Sequence, residues 1–307
     1  MKTTKFLTST LLLSASFAVL ISSCGSDDAS TPVASLPPIG GFNSADEVAS
    51  ADLLAYWPLN GSGVESKSNT SPSATVGASY EAGAKGQGLK LNNGYLSYPA
   101  ITALSTTSQN MTISLWAKVT NNGGPGVTTG RPTMLFTLDR PSDWIGNFNI
   151  LTETGQYAST VDTLQLKAIV AIKNADGSSN NQDVVNSPKP NSVDLANGHT
   201  GNANKNGGKW AHYVATWEAS TGKFLLYANG QKISNAKYEV RGGGNALPLN
   251  FFTPTKPIIG TFGTVISGTP DSWQTPAVAN IDEIRVWKKT LAPDVINSLY
   301  ELEKAGR

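Results

Sequence analysis

Few side chains in this chain could do covalent or acid–base chemistry. Its 307 residues include one cysteine and two histidines. The thiol, Cys24, closes the run Leu20-Ile21-Ser22-Ser23-Cys24. Lys2 and Lys5 precede an apolar stretch built from Leu11, Leu12, Leu13, Phe17, Ala18, Val19, Leu20 and Ile21. A charged start, an apolar middle and small residues before the cleavage point form the layout of a secretory signal. Ser14 and Ser16 interrupt the stretch, which is short for a membrane span. Asp282 and Glu283 are neighbours on a strand-like pattern, and successive strand residues point to opposite faces. They are therefore not placed to work as a general acid and base on one substrate. No Gly-x-Ser-x-Gly nucleophile motif occurs.

Aromatic residues offer a different chemistry, that of non-covalent recognition. Of the seven tryptophans, two lie among loop formers. Trp144 sits in Pro141-Ser142-Asp143-Trp144-Ile145-Gly146, and Trp273 in Thr269-Pro270-Asp271-Ser272-Trp273-Gln274. An exposed indole has an apolar face and a polar edge, which suits stacking on a sugar ring. Asp143 and Asp271 lie beside them and could accept hydrogen bonds from sugar hydroxyls. These four residues are the candidate ligand contacts. The alternative is that both indoles cap the ends of the domain.

The elements that must position them read as strands. From Asp52 onward, short apolar runs alternate with Gly, Asn, Pro and Ser, the texture of a sandwich or barrel. Residues 111–119 alternate with period two, which predicts a strand with one buried face. Residues 210–217 and 223–228 predict a hairpin around Ser220-Thr221-Gly222. Asn93-Gly94, between the runs 88–91 and 95–98, predicts another. Residues 281–287 supply a last strand. Only the end is helical in pattern, with Val295, Ile296, Leu299 and Leu302 at helical spacing after Pro293. Residues 186–209 are rich in Asn and Gly and poor in apolar residues, as a long loop would be. Residues 25–46 are dominated by Ser, Pro, Ala and Gly and predict a flexible tether. The chain thus divides into a signal peptide at 1–23, Cys24 with its tether at 24–46, and a folded domain at 47–307.

Charge narrows the partners. The whole chain has 23 basic and 22 acidic residues; without Lys2 and Lys5 it has 21 and 22. That balance gives no basic footprint for nucleic acid.

Two resemblances add to this. Small residues before Cys24 resemble the lipobox of bacterial lipoproteins, which implies cleavage before Cys24 and acylation there. Asp27 and Asp28 just after it look like the export signal of surface lipoproteins in Bacteroidota. Location would then be the outer membrane, facing the exterior, with membrane contact through the lipid anchor only. Within the domain, Ala55-Tyr56-Trp57-Pro58-Leu59-Asn60, the strand 113–119, the hairpin around 208–231 and Ile281-Asp282-Glu283-Ile284-Arg285-Val286-Trp287 with Leu291-Ala292-Pro293 resemble laminin-G-like domains of the concanavalin A-like lectin/glucanase superfamily. That resemblance implies an all-β fold, a two-sheet antiparallel jelly-roll sandwich with a short C-terminal helix. It places Trp57, Trp116, Trp210, Trp217 and Trp287 in the core and makes His212 structural. It implies a structural Ca²⁺ held by Asp282 with Glu65 or Asn69, and no other cofactor. The superfamily's glucanases carry a Glu-x-Asp-x-x-Glu arrangement that is missing here, so no enzyme activity is expected. The expected function is non-catalytic glycan binding at the cell surface, beside neighbouring surface transport proteins. The competing readings are a protein-adhesion module and a divergent glycoside hydrolase.

Overall fold

In the computed structural model, residues 36–105, 110–124 and 130–307 are described. Cys24, Asp27 and Asp28 lie outside them. Thirteen strands form among the described residues: β1 (Leu53–Trp57), β2 (Ala74–Ala82), β3 (Gln87–Ser97), β4 (Asn110–Lys118), β5 (Thr133–Asp139), β6 (Phe148–Thr152), β7 (Leu166–Lys173), β8 (Ser179–Val185), β9 (Trp210–Glu218), β10 (Lys223–Ala228), β11 (Gln231–Lys232), β12 (Lys256–Ile259) and β13 (Ala277–Trp287). Helix α1 (Ser192–Ala196) and helix α2 (Gly263–Ser267) are single turns, and α3 (Pro293–Lys304) is the terminal helix. Pairing runs β11-β10-β9-β4-β13-β3-β12-β5-β6-β7-β8, with β1 on β13 and β2 on β3. All pairs are antiparallel.

Alternation decides which side chains fill the sandwich. In β4, Met111, Ile113, Leu115 and Ala117 enter the main core; in β7, Leu166, Ala168, Val170 and Ile172 do so. The two halves of the strand path close on each other through aromatic pairs. Trp57 of β1 meets Phe136 of β5 with centroids 5.4 Å apart, and Phe148 of β6 meets Phe224 of β10 at 5.6 Å. Such pairs add about 0.5–1.5 kcal/mol beyond the area they bury. The expected sandwich of two antiparallel sheets is the fold that forms.

One strand serves both sheets. β3 pairs with β13 from Leu89 to Gly94, with a register shift after Asn92, and with β12 at Leu96 and Ser97. Asn93-Gly94 is therefore not a hairpin turn but a bend inside a continuous strand. Asn93 has φ 48°, and β2 bulges opposite it at Gly77, φ 56°. A Cβ on Gly94 would lie 2.5 Å from the carbonyl oxygens of Val76 and Gly77, so the crossing needs glycine.

The outer side of β9, β10 and β13 is covered by α3. Ile296, Leu299 and Leu302 pack with Val214, Tyr227 and Trp287. Pro293 occupies the first turn, where its missing N–H costs nothing. Asp294 near the start and Lys304 near the end complement the helix dipole. Ala45 and Val48 belong to the same cluster. The compact unit begins at Pro37, ten residues before the domain start expected from composition. Arg307 explains the difference: its Nη1 donates to Pro37 O at 2.9 Å, and its Nε to Asn43 O at 3.0 Å.

Amides order the 186–209 segment. Asn186 is fully buried; it accepts from Leu166 N at 2.8 Å and donates to Asn202 O at 2.9 Å. Asn202 donates to Ser234 O at 2.8 Å. Asp194 pairs with Lys237.

Candidate functional site

The loop between β5 and β6 carries Trp144, and the segment between α2 and β13 carries Trp273. The fold brings the two together. Their ring centroids are 5.1 Å apart at 88°, an edge-to-face pair. Phe262 meets both, 6.2 Å from Trp144 and 5.3 Å from Trp273. Met134 of β5, Leu151 of β6 and Ile169 of β7 form the buried layer under these rings. Both indoles stay partly exposed. They cap an apolar patch on the outer side of β5–β7 and still present ring surface to solvent.

The aspartates beside them build the loops. Asp143 pairs with Arg140, and its other oxygen accepts from Ile145 N at 3.0 Å. Arg140 also donates to Ile145 O at 2.6 Å and lies 4.4 Å over the Phe252 ring. These bonds let Asp143 orient the loop that carries Trp144. Asp271 is exposed. Its N–H donates to Gln274 Oε1 at 3.0 Å, and its carbonyl accepts from Gln274 N at 2.9 Å. That turn holds Trp273 in place.

Sequence reasoning missed the polar wall next to Trp144. A hollow of about 190 Å³ is lined by Trp144, Ile145, Lys167 and Ile169 of β7, and Asn181, Gln182 and Asp183 of β8. Asp183 is held by Lys167 at 3.4 Å and by Arg241 at 2.8 Å. An apolar ring face beside convergent amide, ammonium and carboxylate groups is the composition of a small polar-ligand site. β8 reads Ser-Asn-Asn-Gln-Asp-Val-Val, too polar for alternation to reveal it. Its run of amides was the only signal.

The residues expected to hold Ca²⁺ have other work. Glu65 is fully buried. Its carboxylate accepts from the N–H groups of Tyr56, Lys67 and Ser68 at 2.7, 2.9 and 2.7 Å, and from the Ser68 hydroxyl at 2.5 Å. Asp282, also fully buried, accepts from the N–H groups of Ala84, Lys85 and Glu283 at 2.9, 3.0 and 3.0 Å. The two carboxylates have no donor in common. Asn69 is exposed with φ 57°, in the turn that Glu65 closes. Ca²⁺ takes six to eight oxygens, whereas here N–H groups turn their positive ends to the carboxylates. Among the described residues, no group of three or more His, Cys, Asp or Glu could hold a metal. As arranged, these residues do not fit a calcium site. Burial pushes the Asp282 carboxyl up to about 7, against the pull of the Lys85 N–H.

The profile of a laminin G type family, described as concanavalin A-like lectin/glucanases superfamily, matches residues 90–297. The chain belongs to this superfamily. Several solved structures are similar to the chain at low sequence identity. The fourth domain of AbnA, an extracellular arabinanase of Geobacillus stearothermophilus solved with arabinotriose, is 18% identical with a TM-score of 0.49, over 81% of this chain and 98% of that one. The binding domain of Paraclostridial Mosquitocidal Protein 1 is 15% identical, TM-score 0.51, over 81% and 52%. The binding domain of botulinum neurotoxin serotype G is 13% identical, TM-score 0.54, over 82% and 51%. The chain spans about half the length of the two toxin domains. No curated protein matches the chain.

Within the superfamily fold, Asp282 and Glu283 depart from strand alternation. β13 is irregular between Asp282 and Arg285, and Glu283 has φ 49°. Both acids approach Lys85: Asp282 accepts its N–H, and Lys85 Nζ lies 3.9 Å from Glu283. Glu283 also accepts from the Tyr56 hydroxyl at 2.9 Å and pairs with Arg285 at 2.9 Å. Both carboxylates have 0% exposure, so no saccharide reaches them. His212 is likewise fully buried, 5.4 Å from Trp116 between ring centroids. Of the five tryptophans expected in the core, Trp57, Trp116, Trp217 and Trp287 are buried. Trp210 is partly exposed.

Proposed function

We propose that this chain is a lipid-anchored surface domain that binds polysaccharide without cleaving it. The observation that carries the reading is the Trp144–Trp273 pair on the outer side of β5–β7, with Asn181, Gln182, Asp183 and Lys167 beside it. An indole face packs on the C–H face of a sugar ring, and the amides and charged groups bond its hydroxyls. Membership of a superfamily of lectins and glucanases makes saccharide the favoured ligand class. A binding role is supported over hydrolysis by the carboxylates. Retaining hydrolysis needs two of them about 5–5.5 Å apart at the substrate, and the hollow beside Trp144 offers Asp183 alone. Cys24 would carry the lipid and hold the domain on the outer membrane, facing out, where bound glycan is available to neighbouring surface proteins.

The test is titration of the purified protein against a panel of neutral polysaccharides. Trp144→Ala and Trp273→Ala should each weaken binding, and prolonged incubation should release no reducing ends. No binding to any member of the panel would defeat the reading. Labelling with a fatty-acid analogue should mark the wild type and not Cys24→Ser.

A further inference from the structure

We propose a second saccharide site, one for acidic glycans, where the end of β4 and the start of β9 meet β3 and β13 on the sheet that α3 partly covers. Strand register fixes its floor. Lys90 lies opposite Asn280, Asn280 opposite Lys118, and Lys118 opposite Trp210. Residues directly opposite in an antiparallel pair share a face. Their neighbours Leu89, Ile281, Ala117 and Ala211 all point into the main core, so this row of four points outward. Two residues along each of β4 and β9, the same face carries Trp116 and His212, which are stacked against Tyr300 of α3. The row itself is open: Lys118 is exposed and Trp210 partly so.

A groove of about 700 Å³ is lined by Lys90, Asn280 and Lys118 of this row together with Arg131, Asn121 and Asn122. Among the described residues, three cationic side chains and five asparagines line it, and no carboxylate does. Glu81 neutralises one cation: it accepts from Lys90 Nζ at 2.8 Å and from Asn280 Nδ2 at 2.9 Å. Lys118 forms no ion pair among the described residues and feels Glu81 at longer range. Among the described residues, the Arg131 guanidinium forms no ion pair and donates to the carbonyl oxygens of Ser272 at 2.9 Å and Gly130 at 3.2 Å. Two cations without an ion-pair partner among the described residues thus stand in an amide-walled groove, on a chain whose basic and acidic residues nearly balance. The complementary ligand carries anionic groups and many hydroxyls, and has a ring face for Trp210, which lies opposite Lys118 and is partly exposed. That is a polysaccharide bearing carboxylates or sulfate esters. The groove is distinct from the Trp144 hollow: the two share no lining residue.

The experiment titrates the full chain with polygalacturonate, dextran sulfate, neutral dextran and a short DNA duplex. Tighter binding of an acidic polysaccharide than of dextran is expected, and which of the two binds separates carboxylate from sulfate recognition. Raising ionic strength to about 0.5 M should weaken it, because the screening length falls to a few ångström. Lys118→Gln and Arg131→Gln should each lower that affinity about fivefold, and Lys118→Arg should retain it. Trp210→Ala should also weaken it, while binding of a neutral glycan stays unchanged. The proposal falls if acidic chains bind no better than dextran, if DNA binds as tightly, or if folded Lys118→Gln binds as wild type. Loss of acidic binding in Trp144→Ala but not in Lys118→Gln would remove this second site and leave the first standing.

Discussion

Arg285 of β13 and Glu303 of α3 form an ion pair closed to solvent, with side chains 1% and 0% exposed. Glu303 also accepts from Trp116 Nε1 at 2.7 Å, and Arg285 reaches Asp46 at 2.9 Å. One guanidinium thus ties the terminal helix and the short helical turn Ala45–Glu47 to the sheet. Removing it would leave Glu283 and Glu303 buried without their cation. Arg285→Met should therefore cost about 3–5 kcal/mol in a denaturant titration. Arg285→Met with Glu303→Leu should recover part of that loss, because the pair is coupled. A double variant as unstable as the sum of the two singles would contradict the coupling.

His212 faces Glu303 and Tyr300 from α3 and Arg285 from β13. Burial first, and Arg285 second, lower its pKa from 6.5 to about 3. The nearby Glu303 carboxylate is already held by Arg285 and Trp116. The folded state then refuses a proton that the unfolded chain accepts. The stability this group contributes is complete above pH 6.5 and is lost progressively toward pH 3. The slope approaches about 1.4 kcal/mol per pH unit where only the unfolded chain is protonated. His212→Phe keeps a ring against Trp116 and Tyr300, so its stability should fall less steeply over that range. Parallel curves for the two proteins would show that His212 does not titrate on unfolding.

The architecture was legible wherever one strand face is apolar and the other is not. β4, β9, β10 and β13 announce themselves through inward residues such as Ile113, Ala215, Leu226 and Ile281. β2 and β8 do not, since most of their side chains are exposed or half-exposed. Asn93-Gly94 has the local chemistry of a hairpin turn; only Gly77 on another strand shows that it bends β3 instead. Pro37 and Asn43 look like linker because their partner, Arg307, is at the other end of the chain. The site was half legible. Two indoles in loops pointed to Trp144 and Trp273, but their meeting depends on a tertiary contact. The groove depends on register across four strands, which composition does not carry.

Glu65 and Asp282 use their oxygens on N–H donors, so neither chelator nor added Ca²⁺ should shift the melting temperature. Glu65→Gln should cost about 2–3 kcal/mol with or without calcium, since it loses charge-assisted bonds and turns an NH₂ toward N–H donors. A melting temperature that falls in chelator for wild type and not for Glu65→Gln would return calcium to this loop.

Trp144 and Trp273 should show both a packing and a binding effect, because each is partly buried and partly open. Truncating either to Ala removes an edge-to-face partner as well as buried ring area. A stability loss of about 1–3 kcal/mol is expected for each. The double variant should lose less than the sum, since the second ring no longer has a first to meet. Trp→Phe at either position keeps a ring over Met134 and Ile169, so it should retain most of the stability. It gives up indole area and the indole N–H, so polysaccharide affinity should still fall, by roughly 1 kcal/mol. Melting curves and titrations on the same four single variants separate the two effects. Phe variants that bind as wild type, beside Ala variants that lose only folded protein, would make the pair a cap on the sheet and nothing more.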